Sequence, residues 1–265
     1  MDVDITTADG VTLRGTLYEA PGDRAIVIAG AMGAPRRYYD AFARYASERG
    51  FTVLTFDYRG MGESKHEHAK LADWGRFDIA AAIDFVKPRA VTLIAQSVGG
   101  QVAGMAPNLI SVQCIVFVAA QSGYWRLWTG WRRYRVGLLW LLMLSVTRIL
   151  GFFPARFVGL GRENLPRHVA IEWARWIRHP DYQFGFGQQI DLRGYASYGG
   201  PVLAWSFDDD GLAPRLNVEV LLRRYSGASI EHRHVIEHGV GHFGFFRSGI
   251  GEPFWDQTLD WVRSP

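Results

Sequence analysis

Five segments of six or seven mostly apolar residues, AIVIAG (25–30), TVLTFDY (52–58), VTLIAQ (91–96), CIVFVAA (114–120) and PVLAWSF (201–207), limit the fold of this chain more than any other feature. A strand with one wet face alternates polar and apolar residues, so runs without alternation must be covered on both faces. Stretches of helical length lie between them, from about Arg36 to Arg49, from about Asp73 to Lys87 and from about Pro214 to Tyr225. A short helix is expected after Ser97, a further strand at IEHRHVI (230–236), and a closing helix from about Glu252 to Arg263. Buried strands alternating with helices mean an α/β protein with a mostly parallel sheet flanked by helices. Only the start differs: ITTADGVTLRGTLYEA sets Asp-Gly between two alternating runs, which is a hairpin signal. With 265 residues, 48% of them hydrophobic, the chain can bury one large core.

The rhythm stops at Gln121. From there to about Tyr195 no segment reads as a strand, and six of the ten tryptophans fall in the gap: Trp125, Trp128, Trp131, Trp140, Trp173 and Trp176. A helical insertion is expected over residues 121–195, within a core formed by residues 1–120 and 196–265. The insertion holds eleven arginines against four acids, Glu163, Glu172, Asp181 and Asp191, so it carries +7 while the rest of the chain carries −4. A basic segment on an acidic body suits anionic partners, phospholipid headgroups among them. Its longest uncharged run, VGLLWLLMLSVT (136–147), has twelve residues where a bilayer span needs about 20. It is expected either as a buried helix or as one that dips into a membrane interface beside its arginines.

The strand VTLIAQ runs straight into Ser97, which is followed by Val98, Gly99 and Gly100. A serine hydroxyl is a weak nucleophile unless it is aimed at a substrate and a base takes its proton. A sharp strand-to-helix bend with small residues two before and two after the serine, here Ala95 and Gly99, does the aiming.

With this motif the chain resembles the α/β-hydrolase superfamily over nearly its whole length. AGAMG after the third strand, DYRGMGES after the fourth and VGHFGFF near the end match that superfamily in the same order, and the insertion falls where it carries its cap. The motif here is A-Q-S-V-G where G-x-S-x-G is usual. The ending GHFGFFR and the glycine-alanine segment also resemble a little-characterised bacterial branch. The resemblance implies an α/β-hydrolase fold with an inserted helical cap, and a Ser-His-Asp triad. Ser97 is the nucleophile. The acid can follow either of two strands, but no Asp or Glu occurs between residues 111 and 162, which leaves SFDDDGLAP. The family's acid stands four residues before such a proline, which selects Asp210, with Asp209 as its rival; Asp208 and Asp209 are otherwise read as turn and cap residues. His242, flanked by glycine after a strand, is the base, with His238 as its rival. The oxyanion hole is expected from the backbone N–H of Val98 and of Ala31, or else Met32. Tyr124 and Trp125, after CIVFVAA, are placed to form a wall of an apolar acyl pocket.

The expected activity is therefore hydrolysis of a carboxylic ester with an apolar acyl chain. An acyltransferase or thioesterase would use the same triad, and a scaffold that has lost activity is the reading from another class. No cofactor is expected, since neither G-x-x-x-x-G-K-[ST] nor a helix-opening G-x-G-x-x-G is present. Nor is a metal: His66 and His68 have H-x-H spacing without a third ligand, and Cys114 sits in an apolar run as a structural thiol. Nucleic-acid binding would rest on arginine count alone and is not expected. MDVDITTADG has no apolar stretch of the signal-peptide kind, so the expected location is cytoplasmic. His232 and His234 alternate on one strand and read as ordinary face residues. The sequence leaves the oligomeric state open.

Overall fold

The expected hairpin forms from β1 (Asp2–Thr6) and β2 (Thr12–Tyr18), with Gly10 in the turn at φ +83°. In the computed structural model, which describes residues 1–159, 161 and 163–265, this hairpin is the antiparallel edge of an eight-stranded sheet. The chain continues through β3 (Arg24–Ala29), a 3₁₀ turn Arg36–Tyr39, α1 (Asp40–Ser47) and β4 (Thr52–Phe56). Next, α2 (Leu71–Asp73) runs through a π-helical turn, Trp74–Ile79, into α3 (Ala80–Val86). After β5 (Ala90–Gln96) come α4 (Val98–Val102) and β6 (Cys114–Val118).

Beyond β6 the chain leaves the sheet for α5 (Gly130–Leu150), β7 (Phe152–Phe153), β8 (Leu165–Pro166), α6 (Arg167–Arg178) and α7 (Arg193–Ser197). It returns with β9 (Pro201–Phe207), α8 (Arg215–Leu222), β10 (Ser229–Val235) and α9 (Glu252–Arg263). The sheet order is β1-β2-β4-β3-β5-β6-β9-β10, parallel from β4 to β10. Every residue of β4 and β6 is buried, as the absence of alternation requires. One apolar cluster on each face of the sheet holds the helices in place, and the cluster on one face extends into the inserted region through Met143, Phe153 and Trp176.

Two expectations about the inserted region change. It contains strands: β7 and β8 pair antiparallel over two residues each, too short for any periodic signal to register. And α5 is not a buried helix. It runs for 21 residues, nine beyond the uncharged stretch, and of these only Met143 and Thr147 are buried.

Two carboxylates tie this region to the sheet domain. Glu163 Oε2 accepts the Gly62 N–H at 2.7 Å, and Glu172 Oε2 accepts the Ala72 N–H at 3.1 Å. The Gly62 end belongs to the DYRGMGES loop, whose charges brace its turns. Asp57 accepts the backbone N–H and a guanidinium N–H of Arg36, at 2.7 and 2.6 Å, while Arg59 is held by Asp78 and Asp9. Arg59 keeps the Asp9 carboxyl down at about 2, so the stabilisation from that pair is complete above the ordinary carboxylate range and fades as pH falls toward 2. At Gly62 a Cβ would lie 2.4 Å from the Asp57 carboxylate, and φ is +52°, so glycine is required twice over.

Candidate active site

Ser97 stands between β5 and α4 at φ +52°, ψ −115°, a conformation uncommon for any residue with a side chain. The bend is held from below. A Cβ on Gly99 would lie 2.2 Å from the Ala29 carbonyl oxygen, and one on Gly100 would lie 2.3 Å from Ala120 Cβ. These clashes explain the two glycines after the serine. Ala95, where the family motif has glycine, is a buried residue within β5, paired with Ala29 and Phe117 and outside the positive-φ region, so its methyl group is accommodated.

The loops after β9 and β10 bring Asp210 and His242 to the same edge of the sheet. His242 Nε2 lies 2.9 Å from Ser97 Oγ, and His242 Nδ1 lies 2.7 Å from Asp210 Oδ2. An ionised carboxylate only accepts, so Nδ1 carries the proton and Nε2 is left to accept from the serine hydroxyl. Asp210 is buried, and its other oxygen accepts the N–H groups of Leu212 and Ala213 at 2.8 and 2.9 Å. Those bonds fix the carboxylate plane. His238 is exposed and stays outside this line.

The expected oxyanion donors need a correction. The Ala31 N–H already donates to Tyr39 Oη at 2.7 Å, because the 3₁₀ turn after β3 swings that hydroxyl back under the loop. Among the described residues neither Met32 nor Val98 has an acceptor for its N–H, and both residues line the cavity at Ser97. Of the two expected donors after β3, Met32 is therefore the one whose N–H has no acceptor among the described residues. The assignment of Tyr124 and Trp125 also changes. The wall after β6 is made by Gln121 and Gly123, and the aromatic lining comes from Trp128, Trp173 and Phe243. Tyr124 and Trp125 are half-buried packing residues, with the Trp125 ring facing Gly137 of α5.

Several residues around the site carry no motif. Gln96 Oε1 accepts from Tyr39 Oη at 2.8 Å, and Gln96 Nε2 donates to the His242 carbonyl at 2.9 Å. One side chain thus links the Ala31 loop, the serine bend and the histidine loop. Asp209 is more than a turn residue, since its two oxygens accept the Gly239 and Gly241 N–H groups at 2.7 and 2.8 Å and hold the loop that carries His242. The only sequence signal for either was proximity to a motif residue. His232 and His234 both reach Ser206 Oγ, at 2.7 and 2.8 Å, beneath the sheet edge. Cys114 is buried against Thr92, and burial pushes its thiol up to about 11, as befits an inert packing residue. No group of three His, Cys, Asp or Glu residues suited to a metal occurs among the described residues.

The Tyr39 hydroxyl gives a direct test of this support. Tyr39→Phe leaves two buried polar groups, the Ala31 N–H and Gln96 Oε1, without partners, and should destabilise the protein by about 2 kcal/mol or more in chemical denaturation. It should also lower kcat by on the order of tenfold, since small displacements of reacting groups are costly. Unchanged stability and kcat would show that the network does not hold the loops.

The cavity beside Ser97 is small, about 60 Å³, with apolar walls from Trp128, Val136, Leu139, Trp173, Ile177 and Leu212. A larger groove of about 500 Å³ adjoins it and shares Trp128, Val136, Leu139 and Leu212. The wide cleft of about 1070 Å³ between Lys70, Phe77 and Asp191 contains none of Ser97, Asp210 and His242.

Comparison with known proteins agrees with this fold. The chain belongs to the alpha/beta hydrolase family, whose model matches residues 25–249. The structure of DcsB in complex with its substrate analogue is similar with a TM-score of 0.72, over 99% of this chain and 98% of that one, at 16% identity. An esterase from Exiguobacterium antarcticum is similar with a TM-score of 0.71 over 100% of both chains, at 21% identity. At such identities the likeness is one of fold. An uncharacterised protein of Pseudomonas aeruginosa is 39% identical over 85 residues, which is 29% of this chain and 23% of that protein, so this chain matches less than a quarter of that relative's length.

Proposed function

We propose that the protein is a carboxylester hydrolase with Ser97 as nucleophile, His242 as general base and Asp210 as the residue that orients the base and stabilises its charged form. The observation that carries this reading is the continuous line from Ser97 Oγ through His242 to Asp210, with spacings of 2.9 and 2.7 Å. In the first half-reaction Ser97 Oγ attacks the ester carbonyl carbon and its proton passes to His242 Nε2. The imidazolium that forms is stabilised by Asp210. The oxygen that becomes negative is received by the Val98 and Met32 N–H groups. As the carbon–oxygen bond of the ester breaks, His242 gives its proton to the departing alcohol. Water, deprotonated by the same nitrogen, then attacks the acyl-enzyme and regenerates Ser97.

The acyl group is proposed to be apolar, because the walls beside Ser97 are tryptophan and aliphatic side chains. Its first carbons fill the small cavity and further ones pass between Trp128 and Leu139 into the adjoining groove. A series of nitrophenyl esters tests both statements. Specificity, kcat/KM, should rise from the acetate by up to about fourfold per added methylene while the chain still finds apolar wall. A fluorophosphonate probe should label Ser97. An acetate preference would confine the substrate to the small cavity, and failure of the probe to label would remove the hydrolase assignment.

A further inference from the structure

The outward face of α5 is apolar. Trp131, Tyr134, Leu138, Leu141 and Ile149 recur at helical spacing and are 62, 72, 54, 50 and 83% exposed. A helix on a protein surface ordinarily turns charge to the water and one apolar stripe inward, but this one has apolar residues on both sides. Phe157 and Val158, exposed as well, extend the patch, and Val158 shares the wall of the 500 Å³ groove with Leu138. Arg132, Arg135, Arg148 and Arg156 border it, all exposed and none in an ion pair among the described residues. Two of them stack on its aromatic rings, Arg135 at 5.0 Å from the Trp131 centroid and Arg156 at 4.7 Å from that of Phe157.

We propose that this face docks on an anionic lipid surface, with α5 lying in the plane of the headgroups. Hydrocarbon would take the aromatic and leucine side chains while phosphate groups would take the guanidinium groups, which suits rings and arginines set side by side. No helix among the described residues is long and apolar enough to cross a membrane, so α5 lies on the surface. A second copy of the chain is a poor occupant. Two-fold pairing would set these arginines against the same arginines, and no Asp or Glu between residues 111 and 162 is there to oppose them. A lipid surface also suits the groove, which opens among Trp131, Arg135 and Leu142 and reaches the walls of the Ser97 cavity through Trp128 and Leu139. That last point rests on the hydrolase reading; the docking itself does not.

Co-sedimentation of the full chain with vesicles tests the proposal. Binding to phosphatidylcholine vesicles containing phosphatidylglycerol should be at least about tenfold tighter than to phosphatidylcholine alone and should weaken as salt is raised. Tyr134→Ser combined with Leu141→Ser should weaken it by about tenfold or more. Arg148→Gln combined with Arg156→Gln should reduce the preference for the anionic lipid by about tenfold or more, Arg132 and Arg135 remaining. All four residues are exposed, and circular dichroism confirms that each variant is folded. The proposal is overturned if the wild type does not sediment, if it binds both vesicles equally, or if the face instead closes a dimer that the Tyr134→Ser, Leu141→Ser pair dissociates. Ser97→Ala should sediment as the wild type does. A failure of docking is thereby separated from a failure of the hydrolase reading, which ester turnover and probe labelling report.

Discussion

Ser97→Ala should lower kcat toward a nitrophenyl ester by on the order of 10⁴-fold or more, with the protein still folded. The size of the loss follows from what the hydroxyl does. Without it no acyl-enzyme can form, and what remains is whatever the Val98 and Met32 N–H groups contribute to direct attack by water. The fold should be preserved because only one oxygen is removed, and its hydrogen-bond partner, His242, keeps its second bond to Asp210. The variant should be, if anything, slightly more stable, since alanine retains the strained bend but no longer confines a polar hydroxyl in a cavity with apolar walls. Stopped-flow and steady-state assays with thermal melts decide the matter. A kcat within tenfold of the wild type would mean that another group attacks the carbonyl.

Asp210→Asn should be nearly as damaging, at about 10⁴-fold in kcat, although it replaces one oxygen with nitrogen and changes no volume. The reason lies in the hydrogen bonds. One oxygen of Asp210 accepts from both Leu212 and Ala213, so the carbonyl oxygen of the asparagine must stay there and its amide nitrogen must face His242. An amide nitrogen donates, which forces His242 Nδ1 to accept and moves the ring proton to Nε2. The imidazole would then point a proton at Ser97 Oγ and could not remove one. KM should change little, because Asp210 is not among the residues that line the cavity at Ser97. If instead kcat stayed within tenfold and KM rose, Asp210 would be a loop support and the acid would have to be sought elsewhere.

Both variants target residues visible in the sequence, and the reason is physical. Ser97 lies where an unbroken apolar strand meets two glycines, a combination that close backbone approach demands and that chance seldom supplies. Asp210 was reached because a long stretch without acids removed the other position. Five of the parallel strands were legible for a similar reason: burial on both faces leaves no freedom for polar residues, so β3, β4, β5, β6 and β9 each lie within two residues of an apolar run. The supporting residues were not legible. Nothing local marks Gln96 as the bridge between Tyr39 and His242, because its partners are 57 and 146 residues away. The same holds for Asp209, whose partners are 30 and 32 residues away. The pocket wall was misplaced by a few residues, at Tyr124 and Trp125 in place of Trp128, because tryptophan content says that aromatic surface is needed and not which ring turns toward the serine. For α5, apolar composition leaves a buried helix and an interfacial one both open, because it does not say that tertiary packing uses only part of the helix circumference and leaves the rest facing outward.

The two carboxylates that fasten the inserted region to the sheet domain have a further effect. Glu163 and Glu172 are half of its acidic residues, and each ends on a backbone N–H group of the sheet domain. Swinging that region away as a lid would break both attachments at once and leave two amide groups to find water. Such a movement is therefore opposed by both bonds. On the hydrolase reading, the expected route for substrate is beneath the edge of this region, with the rate of entry set by side-chain rotation at Trp128 and Leu139 and not by a large rigid-body movement.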